Sequence, residues 1–124
     1  MKKTMPFKVF GNDGDYLTLN IKDLITIENT IGKSIIKLGS ELENGVYTLG
    51  DITQCLPIAY RDCLARRDEK MMTVAECTRK IEEAFETGSS ISSISSIAVP
   101  LYLAILETGF FGKNQNAAQQ KPIE

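Results

Sequence analysis

Apolar positions recur along this chain first at every second residue and then at every third or fourth. In "DYLTLNI", Leu17, Leu19 and Ile21 alternate with Tyr16, Thr18 and Asn20, the period of a strand with one face on a core. "FKVF" upstream shares the aromatic and β-branched bias, and "GNDG" between the two runs supplies residues that tolerate the positive φ of a tight turn. The pattern predicts a β-hairpin over residues 7–21. A two-stranded hairpin is not stable alone in water, so this one must lie on the helices downstream.

From Lys22 the period lengthens. Leu24, Ile27 or Glu28, and Ile31 fall on one stripe, and Gly32 stands where a left-handed residue ends a helix. "KSIIKLGSELENG" fits a helix broken near Gly39 and a strand-like segment equally well. Thr48 and Asp51 have capping-box spacing ahead of the stripe Ile52, Cys55 or Leu56, Ala59, Cys63 and Leu64. Pro57 inside that stripe predicts either a kink or a helix start near Leu56. Thr73 and Glu76 mark the next start, Val74, Cys77, Ile81, Ala84 and Phe85 form one face, and Gly88 is the stop.

The last apolar series is Ile91, Ile94 and Ile97 at intervals of three, continued by Leu101, Ala104 and Ile105, with a kink expected at Pro100 and the serines on a solvated face. "ETGFF" closes the domain, and from Gly112 a polar run with no apolar face predicts a disordered tail over residues 112–124. The fold class implied is α+β, mainly α. One domain spans residues 1–111, its N-terminal β-hairpin followed by a bundle of about four short helices between about residues 22 and 110.

Composition narrows the function classes. A chain of 124 residues, 43% hydrophobic and 24% charged, suits one domain with a single core of moderate size. Fourteen basic and sixteen acidic residues without a long block of either sign give no footprint for nucleic acid or an anionic membrane. The N-terminus lacks a signal-peptide core, and the continuous apolar run "IAVPLYLAIL" has about half the length a bilayer needs, so a cytoplasmic protein is expected. Cys55, Cys63 and Cys77 have no CxxC spacing, and the chain has no histidine to complete a zinc site or act as an imidazole base. The cysteines read as reduced, buried, small apolar residues, the first two on one helix face.

No phosphate-binding glycine loop, dinucleotide fingerprint or nucleophile elbow is present. The carboxylate pairs Glu41 with Glu43 and Glu82 with Glu83 sit where solvated faces and turns are charged anyway, and the mixed charges of "RDCLARRDEK" read as a helix end with a solvated loop. The expectation is a protein that is not an enzyme, with no cofactor and no metal.

The succession "YLTLNIKDLITIENTIGKSIIKLGSELENGVYTLGDITQCLPIAYR", then "MTVAECTRKIEEAF" and an apolar last helix, resembles the tail assembly chaperones of tailed phages and the small tail proteins of gene transfer agents. The matching positions are Tyr16, Leu17 and Leu19, then Leu24, Ile27 and Glu28 with Gly32, then Leu49, Ile52 and Leu56, then Thr73 and Glu76. The resemblance covers roughly residues 14–107, and its motifs are loose apolar patterns from which Pro57 and the serine pairs depart. It implies a partner, the long helical tape-measure protein of a phage or prophage tail, with the tail-tube protein as a second partner and a homo-oligomer as an open option. The expected partner-binding surface is the last helix and the residues just beyond it: Ile91, Ile94, Ile97, Leu101, Tyr102, Ile105, Phe110 and Phe111. Taken singly, each of these residues suits the closing of the domain's own core better than a partner surface. The resemblance further implies a longer product made by ribosomal slippage, and Gly112, Lys113 and Asn114 can be encoded by GGA AAA AAC, which holds a slippery run. A structural tail component, or a small helical adaptor or regulator, is the alternative.

Overall fold

A computed structural model of the chain describes residues 4–88 and 93–112. The order is two short strands, β1 (Met5–Pro6) and β2 (Tyr16–Leu17), then five helices: α1 (Ile21–Ile31), α2 (Ile35–Asn44), α3 (Leu49–Arg66), α4 (Val74–Thr87) and α5 (Ser95–Leu106). The fold is therefore mainly helical with an N-terminal antiparallel hairpin, as the pattern predicts.

The hairpin is shifted and shorter than expected. Met5 pairs with Leu17 and Pro6 with Tyr16, so "FKVF" is not a strand. One further ladder bond, from the Phe7 N–H to the Asp15 carbonyl at 2.9 Å, precedes a turn closed by Gly11 N–H on Lys8 C=O. Phe7 and Val9 are still buried in the core, which is why the segment carries a strand's alternation without a strand's pairing. Beyond β2, the Thr18 N–H bonds the Ala59 carbonyl at 3.0 Å, tying the hairpin to the middle of α3.

Local chemistry sets the helix ends. Asn20 accepts from the Asp23 N–H and the Asp23 carboxylate accepts from the Asn20 N–H, a capping box that starts α1. Thr73 and Glu76 make the same reciprocal pair at α4. At α3 half of the predicted box forms: Thr48 accepts from the Asp51 N–H, but the Asp51 carboxylate turns to Lys33 at 2.6 Å. Gly32 and Gly88 both adopt the left-handed conformation, φ +73° and +64°, and end α1 and α4 as expected. The segment left open by the sequence is helical: Ser34 caps α2, which runs through Gly39. α3 likewise starts at Leu49 and runs through Pro57 to Arg66, not from Leu56.

α3 is the axis of the fold. α1, α4, α5 and β2 all pack on it, α2 packs on α5, and α4 leans chiefly on α3. A single cluster of buried apolar side chains draws on the hairpin and all five helices, with Leu17, Ile27, Leu38, Ile52, Leu56, Tyr60, Ile97 and Leu101 fully buried. Phe7, Phe10 and Tyr60 meet edge to face, with centroids 5.3 to 5.8 Å apart. No helix among the described residues is long and apolar enough to cross a membrane.

Candidate functional site

α4 carries more apolar surface than α3 can cover. Cys77, Ile81 and Ala84 face α3 and are buried, and Phe85, next to Ala84 on the helix surface, widens the stripe past the contact and remains 45% exposed. On α3 the same happens at the start of the helix, where Ile52 is buried and Leu49, one turn earlier, is 63% exposed. Between them runs an open groove of about 770 Å³, lined by Leu49, Ile52, Thr53, Thr78, Ile81, Glu82, Phe85, Glu86 and Ile94. Ile52 and Ile81 are fixed by the core beneath, so the groove has a firm apolar floor and projecting walls. Its charged lining residues, Glu82 and Glu86, are both acidic and exposed.

The hairpin side holds a different kind of site. Asp15, 4% exposed, accepts from Tyr60 Oη, Arg67 Nη1, Cys63 Sγ at 3.4 Å and Asn12 Nδ2 at 3.3 Å. Burial by itself raises the Asp15 carboxyl, but these donors outweigh it and hold the group below the ordinary aspartate value. Tyr60 is pushed up to about 12 by burial and by the carboxylate it donates to. Beside it, Tyr16 Oη donates to Asp62 at 2.7 Å and is also pushed up to about 12, chiefly by burial. Arg61 reaches Asp23 at 2.6 Å. The charges of "RDCLARRDEK" thus do more than cancel within a solvated loop: Arg61, Asp62 and Arg67 fasten α1, β2 and the first turn to α3. Among the described residues every buried side-chain nitrogen and oxygen has a hydrogen-bond partner, and this cluster holds the fold.

A polar cleft of about 500 Å³ opens next to it, where Arg67, Lys70, Arg79 and Lys80 are interspersed with Glu69 and Glu76. Arg67 is already committed to Asp15, and Glu76 to the α4 cap. The three cysteines are buried free thiols, with Cys55 and Cys77 pushed up to about 12 by burial and Cys63 raised by the same cause. Among the described residues no group of three His, Cys, Asp or Glu side chains is placed to hold a metal ion.

The expected partner-binding residues part into groups. Ile91 lies outside the described residues, as does the expected tail from residue 113 onward. Ile97, Leu101 and Ile105, spaced by four, are fully buried and close the protein's own core against α2, α3 and the hairpin, so they are not a free surface. Ile94 is half-buried and lines the groove. Tyr102 and Phe111 are half-buried and lie with Ile36, Gly39 and Leu106 around a separate hollow of about 160 Å³, and Phe110, 43% exposed, stacks edge to face on Phe111 at 5.1 Å. Leu49 and Phe85 are not among the expected residues. The signal for Phe85 is its adjacency to Ala84, which makes the α4 stripe wider than one helix contact needs.

Comparison of the chain with protein-family models, with curated proteins and with solved structures finds no match.

Proposed function

We propose that this protein is a tail assembly chaperone of the tailed-phage kind, working in the cytoplasm of a bacterial host and holding an amphipathic helix of the tape-measure protein in the groove between α3 and α4. The observation that carries the reading is the exposure of Leu49 and Phe85 on opposite sides of an open apolar groove with a fixed floor. An amphipathic helix buries its stripe in such a groove and needs no catalytic group from the protein that holds it. The groove combines an apolar floor and projecting apolar walls with a polar rim of Thr53, Thr78 and two glutamates that would lie along the helix's solvated side. Tail-tube subunits, polymerising around the tape-measure protein, would take the helix over.

Co-expression with the long helical reading frame of the neighbouring tail genes tests the reading. The soluble yield of the long protein should rise, and Leu49→Asp with Phe85→Asp should abolish the gain while leaving the helical circular-dichroism spectrum unchanged. An unchanged yield with the unaltered chain would sink the proposal.

A further inference from the structure

We propose that the groove selects helices whose apolar stripe is flanked by lysine or arginine, and that Glu82 and Glu86 are the residues that read those flanks. The inference rests on the helix-binding reading of the groove and names the chemistry of its guest. An apolar lining accepts any apolar stripe, so selectivity has to come from the rim. Here the rim is charged with one sign.

Glu82 and Glu86 stand one turn apart on α4, both exposed, and neither has a basic partner among the described residues. Their placement is unfavourable within the helix for two reasons. Like charges four residues apart repel each other. Glu86, in the last turn, also opposes the macrodipole, and that turn contains no basic residue to offset it. Two like charges on the rim of an apolar groove, with no cation among the groove's lining residues, fit a site where the compensating cation arrives with the guest. A lysine or arginine flanking the guest's stripe would meet two carboxylates and the negative end of α4 together.

Three synthetic helical peptides of about 18 residues, sharing one leucine stripe and carrying Lys, Gln or Glu on its flanks, test this against the full chain by fluorescence anisotropy. The Lys peptide should bind about fivefold to tenfold more tightly than the Gln peptide at low salt, with the gap closing in concentrated NaCl. Glu82→Gln with Glu86→Gln should remove the gap and leave the Gln peptide's affinity unchanged. Glu82→Lys with Glu86→Lys should place the Glu peptide first. Equal binding of the Lys and Gln peptides would show that the two acids are only a solvated face and overturn the selectivity alone. Binding by none of the three would overturn the groove reading and the selectivity with it.

Discussion

The ring of Phe111 lies on Gly39 in the interior of α2: a Cβ at that glycine would stand 3.2 Å from Phe111 Cζ. The glycine that makes the sequence of α2 ambiguous is therefore the seat of a side chain 72 positions away (111 minus 39). Glycine inside a helix costs about 0.5–1 kcal/mol relative to alanine. A Cβ there requires the half-buried Phe111 ring to give by a few tenths of an ångström, and if it does, Gly39→Ala should raise stability by about 0.5 kcal/mol in urea unfolding. Gly39→Leu, which evicts the ring, should lower it by about 1–2 kcal/mol. A loss of more than about 1 kcal/mol for Gly39→Ala would show that Phe111 is held far more firmly than its exposure implies.

Asp15 is the electrostatic hinge of the hairpin. Asp15→Asn removes the charge that Arg67 and Tyr60 share, and should cost about 2–4 kcal/mol at pH 7. The folded carboxyl lies below its unfolded value of about 3.9, so its contribution is full above that value and is lost as pH falls through the lower folded one. Urea melts of both proteins should therefore keep a constant separation from pH 7 to about pH 5 and draw closer as the pH falls toward 3, below the unfolded value. A difference that stays constant down to the acid end would rule out the linkage.

Surface and core residues of the apolar stripes should separate cleanly. Leu101→Ala and Ile105→Ala, at fully buried positions, should each cost about 2–4 kcal/mol. Leu49→Ser and Phe85→Ser, at exposed groove walls, should change stability by less than about 1 kcal/mol. A small loss at Leu101 would return α5 to the candidates for a free surface.

The thiols offer a test of the interior. Cys55 and Cys77, fully buried and pushed up to about 12, carry almost no thiolate at pH 8. A thiol reagent at that pH should label the native protein slowly at all three cysteines and label all three at once in denaturant. Rapid labelling of the native chain at Cys55 or Cys77 would mean that the core opens far more often than its packing suggests.

Legibility in the sequence ends where a few neighbouring residues no longer decide the outcome. Thr73 with Glu76, and Gly32 and Gly88, are local devices, and each acts where its spacing predicts. The capping box of Asn20 and Asp23 has the same legible form, but the strand alternation runs through Asn20 and hides it. The hairpin register is not legible, since Phe7 and Val9 alternate with Lys8 whether or not a partner strand lies alongside. Nor is the surface: Ile97, Leu101 and Ile105 form the kind of stripe that serves a core or a partner, and only the packing of α2, α3 and the hairpin onto α5 decides between them. Leu49 and Phe85 become groove walls only because α4 leans on α3, a relation between residues 36 positions apart (85 minus 49) that no local period encodes.

The donors that hold Asp15 include Tyr60, Cys63 and Arg67, which lie 45, 48 and 52 residues further along the chain. During synthesis, then, Asp15 and the two strands are without these partners until the whole of α3 has emerged, and strands of two residues do not persist unaided. The long separation of these contacts along the chain predicts that the hairpin docks late in folding. Destabilising changes within it, Asp15→Asn among them, should accordingly speed unfolding and leave the refolding rate nearly unaltered in stopped-flow measurements.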